Sequence, residues 1–317
     1  MRTVAEEPGQ KYCAAQTSDV NGRSGENVYD EGTEVVNGLM PIKYAPGGDK
    51  YTERIGFALD EKATDCVLAF PPISCRLAVL TLAGTVRTHI FSVYTPTEIS
   101  PDDAKDDFYS NLQAAIDLVP KTDVILLAGD FNAHVGRNRD GWEEVLGRYG
   151  IEVNDNGVRL LTFAAANGLM IGNSIFQHKQ KHQLTWRAPN GNESALLDYV
   201  LVNRRFRTSI RDVRVKREEK RKHYTYHTTE LVDPRGANIP TTIPNKAGKS
   251  LRVTGGKAAI DLVPKTDVIL LAGDFNAHVG RNCDGWEEVL GRYGIGEVND
   301  NGVRLLTFCR KWTDDRE

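Results

Sequence analysis

Gly129-Asp130-Phe131-Asn132-Ala133 places a carboxylate and a carboxamide two residues apart, directly after the apolar run in Asp123 to Ala128. Side chains alternate along an extended chain. Asp130 and Asn132 therefore project to one side while Phe131 projects to the other, where it can anchor in a core. An ionised Asp can orient or deprotonate a water, and an Asn amide offers both a donor and an acceptor to that water or to a phosphate. A polar strand end entering a turn gives the same pattern, so the pair alone leaves both readings open.

A second carboxylate, Asp198, interrupts Leu196 to Val202, a run apolar on both faces. Burying it unpaired costs on the order of several kcal/mol, so a partner is expected: a histidine, a metal, or backbone N–H groups. A purely structural hydrogen bond would serve as well. Tyr94, in Val93-Tyr94-Thr95-Pro96-Thr97, closes another apolar run. Its hydroxyl can donate to a phosphate oxygen, or its ring can simply pack beside the proline turn.

The elements that must hold these residues are short strands and two helices. Arg54–Leu59, Cys75–Leu82 and Arg87–Tyr94 are apolar or β-branched runs of strand length, and Asp123–Ala128 reads as a buried strand. Ser100-Pro101-Asp102-Asp103 offers an N-cap, a proline at the first helical position and acid in the first turn. Phe108, Leu112, Ala115, Ile116 and Val119 follow at helical spacing up to Pro120. A second helix is expected from about Asn156, closed by Asn167-Gly168, with strands at Leu169–Gly172, Gln183–Ala188 and Ala195–Val202. Strands alternating with helices, with strand pairs between, predict a mixed α/β sandwich.

In this order the motifs GFAL, SVYTPT, LLAGDFNAHVG, NDNGVRLLTFAAANGLMIGN, LTW and LLDYVLV resemble the endonuclease/exonuclease/phosphatase superfamily. They are most similar to the apurinic-endonuclease-like domains of non-LTR retrotransposons and to craniofacial development protein 2-like proteins. The likeness runs from about Arg54 to Val215. It implies a four-layer α/β sandwich and Mg²⁺-dependent cleavage of phosphodiesters in DNA. By the same resemblance Asp130 positions or deprotonates the water and is the candidate metal ligand, Asn132 binds that water or the scissile phosphate, Tyr94 donates to the phosphate, and Asp198 holds a catalytic histidine. The divalent ion would polarise a phosphoryl oxygen.

Two parts of that pattern are missing. Where the family carries a metal-binding Glu on an early strand, this chain reads Cys13-Ala14-Ala15-Gln16-Thr17-Ser18-Asp19, and Thr17 cannot replace a carboxylate toward a hard dication. Neither Asp19 nor Glu26 has the spacing to substitute. The sandwich is therefore expected to be incomplete at its N-terminal layer. The family's terminal Asp-His pair is also absent, with His223 and His227 the nearest stand-ins and solvated surface histidines the plainer reading. Such groups act as a unit, so the expected enzyme is catalytically impaired. The rival is a non-catalytic nucleic-acid-binding or protein-binding relic of the fold. A phosphatase for a small metabolite or lipid shares that fold without any residue here selecting it.

Asn203 to Lys222 carries ten Lys or Arg against three acids, with Arg204, Arg205 and Arg207 the candidates for tracking a phosphate backbone. A solvated charged segment explains the run equally. His178 and His182 are four apart, but HKQKH reads as a loop and no carboxylate completes a metal set.

An internal repeat dominates the second half. Ala114 to Phe163 recurs as Ala258 to Phe308, with Arg139 replaced by Cys283 and Gly296 added. Such near-identity reads as a duplicated fragment, from a recent rearrangement or a gene-prediction error, rather than a solenoid. The second GDFNA, with Asp274 and Asn276, brings neither missing part, and one strand slot takes one strand. The first copy is expected in the site because matching strands flank it. The second is expected to dangle, pack peripherally or exchange with another chain. The divisions expected are 1–49 weakly ordered, 50–228 the nuclease-like domain, 229–257 a Gly/Pro/Thr-rich linker and 258–317 the duplicate with a short tail.

Composition fits a globular protein: 317 residues, 40% hydrophobic, 26% charged and a formal charge of −3. A globally basic nucleic-acid glove is excluded, though a local basic patch is not. Five scattered cysteines without a CxxC pair suit a reducing compartment. Met1 to Gln10 lacks the apolar core of a signal peptide, and no run approaches membrane-spanning length. An intracellular location, the nucleus among the candidates, is the expectation.

Overall fold

The computed structural model describes most of residues 55–217, four outlying strands, and a few positions between 285 and 310. All lie in the larger of two compact units, Gly32–Glu317. The Cys13–Asp19 stretch and His223 fall outside the described residues.

One sheet has seven strands: β3 (Val67–Ala69), β4 (Pro72–Ser74), β5 (Leu77–Leu82), β6 (Thr88–Tyr94), β7 (Val124–Asp130), β8 (Leu169–Ile171) and β11 (Asp198–Asn203). Its order is β3-β5-β6-β7-β11-β8, with β4 also on β5. β6 and β7 are parallel, joined by α1 (Asp102–Asp117), while β11 runs antiparallel to β7 and β8. A second helix, α2 (Asp155–Ala166), precedes β8. A short hairpin, β9 (Trp186–Arg187) with β10 (Ser194–Ala195), precedes β11.

The second sheet has six strands: β1 (Ile42–Tyr44), β2 (Ile55–Leu59), β12 (Ile210–Arg217), β13 (Thr225–Leu231), β14 (Leu251–Thr254) and β15 (Val268–Asp274), in the order β1-β2-β15-β14-β13-β12. β14 lies inside 229–257, the stretch read as a linker. Its four residues carry no strand signal of their own beyond Leu and Val, and pairing with β13 and β15 makes the strand.

Two cores follow from strand alternation. Ile90 on β6, Leu126 and Ala128 on β7, and Val200 and Val202 on β11 meet Ile55, Phe57 and Leu59 of β2 and Val213 of β12 between the sheets. The intervening residues Phe91, Val93, Leu127, Tyr199 and Leu201 meet Phe108, Leu112 and Ile116 of α1 and Leu160 and Leu161 of α2 on the outer face. The result is an α/β sandwich, helix on sheet on sheet among the described residues.

Ser100 does not cap α1. The helix begins after Pro101 with no side-chain cap, and the Ser100 hydroxyl meets Thr97 Oγ1 at 3.0 Å. The acids of the first turn supply the favourable dipole interaction instead. α2 is capped by Asn154, whose side chain accepts from the Gly157 N–H at 2.9 Å, and it closes on Gly168 at φ +60°. Among the described residues no helix is long and apolar enough to cross a membrane.

Candidate active site at one pole of the seven-stranded sheet

Register brings distant residues into one row. Tyr94 is the β6 partner of Asp130 on β7, and Asp198 is the β11 partner of Asp130 on its other side. Alternation puts all three on the face toward the second sheet, since Tyr94 packs against the inter-sheet core and Ala128 and Val200 precede and follow the two acids at two-residue spacing. Directly paired strand residues have Cβ atoms about 4.5–5.5 Å apart. Two carboxylates side by side repel unless a cation or hydrogen-bond donors intervene.

Asn132 sits just beyond the row in a left-handed turn, φ +45°. An Asn tolerates that conformation better than most residues because its short polar side chain bonds locally. Its backbone N–H donates to Asp130 Oδ1 at 2.8 Å, and its Nδ2 donates to the Thr95 carbonyl at 2.8 Å. Thr95 replies from the β6 side, its N–H and its hydroxyl donating to the Asp130 carbonyl at 2.9 and 3.1 Å. The two loops leaving β6 and β7 are thus sewn together around Asp130.

Three residues that sequence reading passed over complete the support. Asn156, in the first turn of α2 and 3% exposed, donates from Nδ2 to the carbonyls of Asn132 at 2.9 Å and Pro96 at 3.2 Å. Asn173, in the 3-10 turn η1 (Gly172–Ser174), accepts from Val200 N–H at 2.8 Å and donates to the Asp198 carbonyl at 3.2 Å. Its amide continues the ladder where β8 has ended, holding Asp198 in register. Tyr199 is fully buried, with its hydroxyl at 3.0 Å from the Ala133 carbonyl and 3.1 Å from that of Leu196. Burial pushes its ionisation far above the ordinary phenol range, a hydrogen bond at Val135 opposes this, and the nearby acids Asp198 and Asp130 add smaller upward contributions. Asn156 itself was marked only as the approximate start of the second helix.

Two glycines permit the close approaches. A Cβ on Gly129, at φ +153°, would lie 1.9 Å from the Val93 carbonyl oxygen, and one on Gly157 would lie 1.7 Å from that of His134. A cation is also at hand: Arg76 stacks 5.0 Å from the Tyr94 ring centre and donates to the Tyr94 carbonyl at 3.3 Å.

The structure therefore brings together Tyr94, Asp130, Asn132 and Asp198. It does not bring Arg204, Arg205 and Arg207 to them. These occupy the 3-10 helix η2 (Arg204–Ser209) at the opposite end of β11, beside Asn203, whose side chain bonds the Asp123 carbonyl and the Ile125 N–H at the start of β7. Five strand steps from Asp198 to Asn203 span about 17 Å. Arg204 is further engaged by Glu144. His178, read as a loop residue, bonds Asp212 of β12 at 2.7 Å, with Arg214 on the other Asp212 oxygen at 2.9 Å. His227 lies on β13 opposite Val215.

No protein-family model matches the chain. Among curated proteins, craniofacial development protein 2 of Bos taurus is 32% identical over 128 residues, 40% of this chain and 21% of that one. The Tragulus javanicus protein is 31% identical over the same length, 22% of its own chain. The chain is similar to craniofacial development protein 2 over 128 residues. It thus spans about a fifth of the length of these relatives. Solved structures that resemble it include the endonuclease domain of TRAS1, a telomere-specific non-LTR retrotransposon, at TM-score 0.42 and 15% identity over 58% of this chain and 76% of that one. Another is the Neisseria 3' phosphatase NExo bound to product DNA hairpin, at TM-score 0.37 and 21% identity over 49% of this chain and 64% of that one. At these scores the likeness is partial.

Proposed function

We propose that the pole carrying Tyr94, Asp130, Asn132 and Asp198 is a phosphodiester-hydrolysing site of the retrotransposon DNA-endonuclease type, impaired in this chain. The observation that supports it is the row of Tyr94, Asp130 and Asp198 across three paired strands. Asp130 accepts a proton from the attacking water, with one of its oxygens fixed by the Asn132 N–H. The Asn132 amide, held by Thr95, presents its remaining groups to that water or to a phosphate oxygen. Tyr94 donates to a non-bridging oxygen, and Asp198 is left to orient a base.

The donor chemistry at the pole suits Mg²⁺. Among the described residues no three acidic, histidine or cysteine groups gather in one place, yet Mg²⁺ is commonly held by one or two carboxylates with water and substrate phosphate completing its shell. Asp130 would hold it, with water and substrate phosphate completing the shell. When bound it supplies charge neutralisation at the phosphate.

The test is nicking of supercoiled DNA with Mg²⁺, comparing the chain with Asp130→Ala. Weak cleavage abolished by the substitution supports the assignment. Cleavage that survives it removes Asp130 from the mechanism.

A second reading, binding without turnover, is favoured by one observation: Arg205 and Arg207 are exposed on η2, away from the acid row. DNA binding that weakens with salt, and whose salt slope falls by about 1 to 2 when Arg205 and Arg207 are both replaced by Ala, would support it.

A further inference from the structure

The heptapeptide Val-Ile-Leu-Leu-Ala-Gly-Asp occurs twice, and each occurrence is an interior strand of a different sheet. The first is β7, between β6 and β11, and the second is β15, between β2 and β14. This is not the peripheral or dangling fate expected of the duplicate. A run apolar on both faces can fill any slot that has neighbours on both edges and a covered face on each side.

At described positions beyond the strand the second copy matches the first. Gly141 takes φ +80° and its counterpart Gly285 takes φ +75°. Asn154 caps α2 by accepting from Gly157 N–H at 2.9 Å, and Asn299 accepts from Gly302 N–H at 2.7 Å. Arg310, just past the repeat, closes the unit by stacking 4.4 Å from the Trp286 ring centre and donating to the Gly285 carbonyl at 2.9 Å. Strand, glycine turn and helix cap are all reproduced.

Its position matters because of what it joins. β15 pairs antiparallel with β2 over Leu270–Asp274 and parallel with β14 over Val268–Leu271, and β14 in turn pairs with β13. Without residues 251–274 the sheet separates into two hairpins, β1–β2 and β12–β13, with a gap two strands wide. Ile55, Phe57 and Leu59 of β2 are fully buried in the core between the sheets, so the gap would open that core. β15 also packs over β6 and β7, the strands that carry Tyr94 and Asp130.

We propose that the slot between β2 and β13 is a strand-binding site filled by this chain's own β14 and β15, so that the duplicated fragment, which supplies β15, is a built-in strand donor that completes the sandwich in cis. Two isolated hairpins have little stability of their own, and unpaired edges invite pairing with other chains, so filling the slot both stabilises the sheet and protects it.

The experiment uses the full chain carrying Ala58→Cys and Leu271→Cys, a directly paired position on β2 and β15. After mild oxidation, non-reducing gels and peptide mapping locate the bridge. A 58–271 bridge within a monomeric band is expected. A bridge that appears only between chains overturns the assignment in cis and shows exchange, and absence of any 58–271 bridge overturns the slot itself. Leu270→Pro, in the same chain without the cysteines, is expected to lower the melting midpoint by about 6 °C or more, because a proline removes a ladder donor from an interior strand. A midpoint unchanged by Leu270→Pro would identify the repeat as an appendage and sink the proposal.

Discussion

The Asn156 side chain donates to the backbone carbonyl of Asn132 at 2.9 Å across 24 residues of sequence, and the same amide reaches Pro96, 60 residues away, at 3.2 Å. One buried carboxamide thereby ties the loop after β6, the loop after β7 and the start of α2 into a single body. Asn156→Ala leaves both carbonyls without that donor. A loss of about 2–4 kcal/mol in urea denaturation is expected, and Asn156→Asp should not rescue it, since an ionised carboxylate cannot donate.

Gly129 and Gly141 separate two kinds of glycine requirement. At Gly129 an added methyl meets the Val93 carbonyl at 1.9 Å, whereas at Gly141, φ +80°, nothing lies within 4 Å. Gly129→Ala should force β6 and β7 apart at the row and cost more than about 3 kcal/mol, or prevent folding. Gly141→Ala carries backbone strain only, about 1–2 kcal/mol. Paired thermal melts of the two variants rank them.

Much of this was readable beforehand, for identifiable reasons. Asp130 ends an apolar run and Asp198 interrupts one, which marks each as a carboxylate in need of partners, while the register that sets them side by side comes only from the pairing of β7 with β11. Asn156 and Asn173 were not readable, because their roles depend on bonds to carbonyls and N–H groups brought near by folding. Where Arg204, Arg205 and Arg207 lie relative to the acid row was not readable either: the residues between them and Asp198 form an extended strand, which puts the arginines at its opposite end. The slot taken by β15 was hidden too, because a strand apolar on both faces says only that it will be interior, not where.

Asn173 offers a cleaner test of how Asp198 is held. Its amide replaces a missing stretch of β8, accepting from Val200 N–H and donating to the Asp198 carbonyl. Asn173→Ala should cost about 1–3 kcal/mol, with faster amide exchange at Val200 than at Leu201, whose N–H faces the intact β7 edge opposite Leu127. Equal protection at both positions would contradict the strand-mimic role.

Two tyrosines, Tyr199 buried and Tyr109 half-buried with its hydroxyl enclosed, are expected to weaken the fold in alkali. Desolvation raises the ionisation of both Tyr109 and Tyr199 above the ordinary value of 10.0, with Arg159 partly opposing the rise at Tyr109. Their contribution is complete below pH about 10 and is lost above it, where the unfolded chain releases protons the folded chain retains. The slope is about 1.4 kcal/mol per pH unit for each. Among the described residues the Tyr109 hydroxyl has no hydrogen-bond partner. Tyr109→Phe is therefore expected to be neutral or stabilising by up to about 1 kcal/mol at pH 8, and to flatten the decline above pH 10 by one tyrosine's share. Urea midpoints at pH 8 and pH 11 measure both effects.

Two identical heptapeptides destined for different sheets also create an ambiguity that exists only while the chain is folding. Either copy can be captured first by either pair of waiting neighbours. Long-range strand pairing is slow enough for the wrong capture to persist until it is undone. Nothing within the heptapeptide, nor within the flanks the two copies share, assigns a copy to a sheet, so the assignment rests on where each copy lies along the chain.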